Sequence, residues 1–113
     1  MAIIQNPVGY LTKLLQVFIN DVNAIGNQTI VASGTAQSLT PTTGATKALI
    51  QVESAVATAS IRYWEDGTAP TSSVGMLHLN GAVIELTTAE NIRNFKFIQS
   101  VAGAIQLNIT YYK

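Results

Sequence analysis

His78 is the chain's only histidine. It stands in the run Leu77-His78-Leu79, where strand alternation turns it to the face opposite both leucines. An imidazole base needs a nucleophile within hydrogen-bond reach and an acid that orients it, and the residues around His78 offer neither; an exposed or hydrogen-bonded strand histidine is expected. With no cysteine in the chain, one imidazole cannot furnish a zinc set. Carboxylates come close in sequence at two places, Glu65-Asp66 and Glu85/Glu90. General acid–base work would need them to face one cleft at a defined separation, and their setting reads instead as solvated turn and strand charge. Glu65-Asp66-Gly67-Thr68 carries hard oxygen donors for calcium without the spacing of an EF-hand loop. Gly44-Ala-Thr-Lys47 has the glycine and lysine of a phosphate loop but not the G-x-x-x-x-G-K-[ST] pattern or the strand-to-helix context. The expectation is a non-enzymatic chain with no catalytic residue, no metal and no cofactor.

Aromatic residues offer a different chemistry. Trp64 beside Arg62 is the one outward pair that could stack a base and neutralise a phosphate; a cross-strand or buried contact is the plainer reading. The six basic and six acidic residues are scattered from Lys13 to Lys113 without a run, so there is no electrostatic footprint for nucleic acid or an anionic membrane. Trp64 and Tyr112 are candidate platforms for a glycan, the alternative function to be weighed.

The elements that must position these residues are strands. At 113 residues the chain fits one domain and buries roughly two-thirds of its unfolded surface. Hydrophobic residues make up 48% and charged residues only 11%, well below the usual quarter, so the surface is expected to be neutral and hydroxyl-rich. From Thr29 onward short alternating segments are broken by turn residues, which predicts an all-β chain: an antiparallel β-sandwich, jelly-roll or immunoglobulin-like. In the last segment Ile105, Leu107, Ile109 and Tyr111 share one face, and Gln106, Asn108, Thr110 and Tyr112 the other. Ala48, Ile50 and Val52 are expected inward in one strand, and Ile61 and Tyr63 in another, both pairing with the C-terminal strand. Asn80-Gly81 suits a type I′ hairpin turn between the segments 74–79 and 82–86. A strand from Phe95 to Gln99 follows, and Ala102-Gly103 turns the chain into the last one. Thr88 to Asn94 could make one helical turn capped by Thr87 or Thr88 but reads as a connection.

Residues 1–27 differ in character. Leu11, Leu14, Leu15, Phe18 and Val22 recur at helical spacing until Gly26, predicting a short amphipathic helix or an arm ahead of a sandwich over 28–113. This segment either lids one end of the sandwich or reaches a neighbouring subunit, and Leu11, Leu14, Leu15 and Phe18 are the candidate partner contacts. The start lacks the pattern of a signal peptide, and the most apolar run, Leu14 to Ile19, is far short of the roughly 20 residues that span a bilayer. A soluble protein made and used without export is expected.

The stretch Ile61 to Gly75 reads R-Y-W-E-D-G-T-A-P-T-S-S-V-G after its first residue. Together with Phe95-Lys-Phe-Ile98, Val101-Ala-Gly103 and Leu107-Asn-Ile-Thr-Tyr-Tyr112, it resembles small virion-associated proteins of tailed bacteriophages, in which such segments recur in this order. The resemblance covers roughly residues 58 to 113. It implies a structural protein of the virion, made in the host cytoplasm: a decoration or cement protein that binds the major capsid protein or other virion proteins, or a tail or head-fibre component. It carries over no functional residue. The fragment Tyr63 to Thr71 also resembles β-sandwich modules appended to carbohydrate-active enzymes. A charge-poor surface suits repeated association, and a homo-oligomer is the expected state.

Overall fold

The computed structural model describes residues 23–101 and 103–113. Among the described residues eight strands follow one another: β1 (Ala24–Val31), β2 (Gln37–Ser38), β3 (Lys47–Glu53), β4 (Ser60–Trp64), β5 (Met76–Leu79), β6 (Val83–Leu86), β7 (Lys96–Val101) and β8 (Gln106–Tyr112). One helix, α1 (Ala89–Asn94), precedes β7. Alternation decides the faces. Ala48, Ile50 and Val52 of β3, Ile84 and Leu86 of β6, and Leu107, Ile109 and Tyr111 of β8 are buried, while the residues between them are half-buried or exposed.

The strands form two antiparallel four-stranded sheets, ordered β1-β8-β3-β6 and β2-β7-β4-β5. Strand pairs nest from the ends of the chain inward: β1 with β8, β2 with β7, β3 with β6 and β4 with β5. Two further antiparallel pairings, β3 with β8 and β4 with β7, complete the sheets. This is one long eight-stranded hairpin rolled into two layers, the jelly-roll arrangement rather than an immunoglobulin-like one. The layers bury a single core in which Tyr63, Phe95 and Phe97 stack in series, with ring centroids 5.1 and 5.9 Å apart. Each fully buried side chain of this kind contributes about 1.5–3 kcal/mol.

Asn80-Gly81 is not a hairpin turn. β5 belongs to one sheet and β6 to the other, so this dipeptide carries the chain across the sandwich. Asn80 keeps a negative φ while Gly81 sits at φ 89°, and Ala82 N–H reaches Leu79 C=O at 3.0 Å. A type I′ turn would need positive φ at both central residues. The Asn80 side chain pairs with the Ser54 backbone in both directions, accepting from its N–H at 2.9 Å and donating to its C=O at 2.7 Å. β4 also departs from expectation: it pairs with β5 and β7, not with the C-terminal strand. Pairing preference is set by the roll, which the alternation within one strand does not encode.

Residues 89–94 form a helix rather than a plain connection. Thr88 caps it by accepting the Asn91 N–H at 3.0 Å, and Ile92 is buried beneath it. β1 begins at Ala24 and so takes in residues expected to end the arm. Gly26 does not stop a helix; it lies at a register shift in β1, where a Cβ would collide with the Thr42 side chain. The candidate contacts Leu11, Leu14, Leu15 and Phe18, together with Val22, lie outside the described residues, as does Ala102.

Candidate functional site

His78 stands on edge strand β5 opposite Ile61, and its Nε2 lies 3.2 Å from the Tyr63 hydroxyl, with ring centroids 5.0 Å apart. Its neighbour is thus a phenol that burial and then the Glu65 charge hold above its ordinary pKa. Glu85 lies on the outer side of β6, whereas Glu90 on α1 pairs with Arg93 at 2.6 Å, so these two carboxylates do different things. Asp66 Oδ1 accepts the Thr68 N–H at 3.0 Å, and these Thr68 hydrogen bonds hold its carboxyl below the usual range. Among the described residues no group of three or more His, Cys, Asp or Glu is placed to hold a metal ion. Gly44 makes a turn, with Ala45 N–H on Thr42 C=O, and leads into a strand.

Arg62 is committed to structure. Its Nε donates to Ser72 C=O at 3.2 Å and its NH1 to Gly75 C=O at 2.9 Å, and Ser100 Oγ donates to the same Ser72 carbonyl at 2.8 Å. These bonds fold the loop 65–75 onto the outer side of the β2-β7-β4-β5 sheet. Pro70 and Ile98 are buried there, although Ile98 lies outside the main core. The Arg62 guanidinium, weighed beside Trp64 as an outward pair, is spent on backbone carbonyls.

Trp64, the last residue of β4, opens onto a cleft of ≈ 530 Å³ between the start of that loop and α1, walled by Glu65, Asp66, Met76, Asn91 and Asn94. Tyr112 lines a separate cleft of ≈ 300 Å³ with Lys47, Leu49, Glu85 and Thr87. Trp64 shares the outward side of β4 with Arg62, and Tyr112 the outward side of β8 with Asn108. The two sheets lie back to back, so the structure puts these platforms on opposite faces and brings no single site out of them.

Two surfaces were not legible in the sequence. On the outer side of β1-β8-β3, Asn108 accepts from Thr29 Oγ1 and Gln106 Nε2, both at 3.3 Å, and donates to a Glu53 carboxylate oxygen at 2.6 Å. This ties three strands with polar side chains. On the other sheet Leu77 and Leu79 are 48% and 58% exposed, and Val101, in the same cross-strand row as Leu79, is exposed as well. The Leu-His-Leu alternation was present in the sequence, but the leucines take the outer side because His78 turns toward Tyr63. Monomers rarely carry a contiguous apolar strip on a free sheet edge. Comparison with known proteins finds no match for this chain, whether a family model, a curated protein or a solved structure.

Proposed function

We propose that the chain is a non-enzymatic structural subunit of a phage virion, a decoration or cement protein that self-associates and docks on the major capsid protein of an assembled shell. The observation that carries this reading is the exposed apolar side chains Leu77 and Leu79 on edge strand β5, with Val101 exposed at the end of β7, on a surface otherwise poor in charge. Burying them requires little desolvation of charge, and binding only the assembled shell stabilises it by mass action. The jelly-roll order supports the reading as architecture alone, since capsid and lectin domains both use it. The segment bearing Leu11, Leu14, Leu15 and Phe18 would add a second contact.

The test is light scattering of the chain alone, then co-sedimentation with phage particles that lack it. Saturable binding at a copy number set by capsid symmetry is expected. A monomer that stays in the supernatant overturns the cement role, and binding to tails alone moves the chain to a tail or head-fibre component.

A further inference from the structure

The Trp64 cleft is chemically unlike the rest of the surface. Its lining combines two aromatic residues, Tyr63 and Trp64, with Met76, two carboxylates and two side-chain amides at the end of a sheet, in an open space of ≈ 530 Å³. Its groups are largely uncommitted. Among the described residues no ring, cation or hydrogen-bond partner engages the Trp64 side chain, and the Glu65 carboxylate and Asn91 amide have no hydrogen bond. Asp66 is partly committed, its Oδ1 accepting the Thr68 N–H at 3.0 Å and its carboxyl also bonded by the Thr68 side chain. Asn94 Nδ2 has only a long 3.4 Å contact with Glu90. The walls are held nonetheless: Gly67 N–H bonds Asn94 C=O at 3.1 Å, tying the loop to α1, and Thr88 caps that helix.

We propose that this cleft is a binding site for a neutral saccharide. A pyranose ring has an apolar C–H face and a rim of hydroxyls. The indole offers the first a flat apolar surface, while carboxylates accept strong hydrogen bonds from hydroxyls and the asparagine amides both donate and accept. Two adjacent carboxylates select against sialic acids, uronic acids and sulfated sugars, whose charge they repel. Tyr112, on the opposite face, takes no part. The cleft is a property of the isolated chain, so the saccharide site and the capsid role stand or fall by different experiments.

Trp64 is the only tryptophan, so intrinsic fluorescence reports this cleft alone. The full chain is titrated with lactose, cellotriose, maltotriose and N-acetyllactosamine, and with sialylated N-acetyllactosamine as the anionic control. At least one neutral sugar should give a saturable shift in emission with a dissociation constant on the order of 0.1–1 mM, and the sialylated one should give none. In amide-correlation NMR spectra the Trp64 indole and the Asn91 and Asn94 side-chain amides should move with the same constant. Trp64→Ala should weaken binding at least about tenfold by NMR. Asn91→Ala, which removes no hydrogen bond of the fold, should weaken it about three- to tenfold, while Tyr112→Ala leaves it unchanged. Absence of a saturable shift with all four neutral sugars overturns the proposal, as does binding that survives both Trp64→Ala and Asn91→Ala.

Discussion

The Tyr111 hydroxyl donates to Gln28 Oε1 at 2.6 Å, joining the buried face of the last strand to the first, and the same oxygen accepts the Thr40 N–H at 3.2 Å. A glutamine at an inward position of β1 therefore has its partner in a phenol 83 residues away. Tyr111→Phe keeps the ring and the Thr40 bond, and should cost about 1 kcal/mol in urea unfolding. Burial raises the Tyr111 pKa from 10.0 to about 12. Above pH 10 the unfolded chain releases a proton that the folded chain still holds, so this part of the stability is full below pH 10 and declines as pH rises toward 12. The decline should be shallower in Tyr111→Phe. It should not vanish, because Tyr63 is shifted in the same direction. An equally steep alkaline loss in the variant would assign the effect elsewhere.

Ser60 is buried and its Oγ has no hydrogen-bond partner among the described residues. An unsatisfied buried hydroxyl costs about 1–3 kcal/mol. Ser60→Ala should therefore raise the urea midpoint, by about 1 kcal/mol of stability. A lowered midpoint would mean that the hydroxyl is bonded in the folded protein.

Asn80→Ala removes both bonds to the Ser54 backbone at the crossing between sheets and leaves a half-buried peptide unpaired. A loss of about 2 kcal/mol is expected, with the Ser54 amide exchanging faster than the amides of β3. Asn80→Asp should recover at most the bond from Ser54 N–H, because a carboxylate cannot donate to the Ser54 carbonyl.

Leu77→Thr with Leu79→Thr replaces the exposed apolar pair by residues that keep strand propensity. The unfolding midpoint should move by no more than about 0.5 kcal/mol. Light scattering should show a lower association state, and co-sedimentation with capsids should fall. Unchanged assembly would remove β5 from the interface.

By itself the sequence determined the class of fold and the parity of its principal core strands. Leu107, Ile109 and Tyr111 in β8, Ala48, Ile50 and Val52 in β3, and Ile61 and Tyr63 in β4 recur at every second position, and a pleated strand gives each set only one face. Only the tertiary structure decided which strands pair, because alternation specifies a face and not a neighbour. Asn80-Gly81 turns a chain equally well within a sheet or between two, and the nesting of β4 with β5 and β3 with β6 made it a crossing. The same roll set Trp64 and Tyr112 back to back and drew Arg62 onto the loop carbonyls. It also turned His78 toward Tyr63, which left Leu77 and Leu79 in solvent. These contacts join residues ten to dozens of positions apart, and no period along the chain records them.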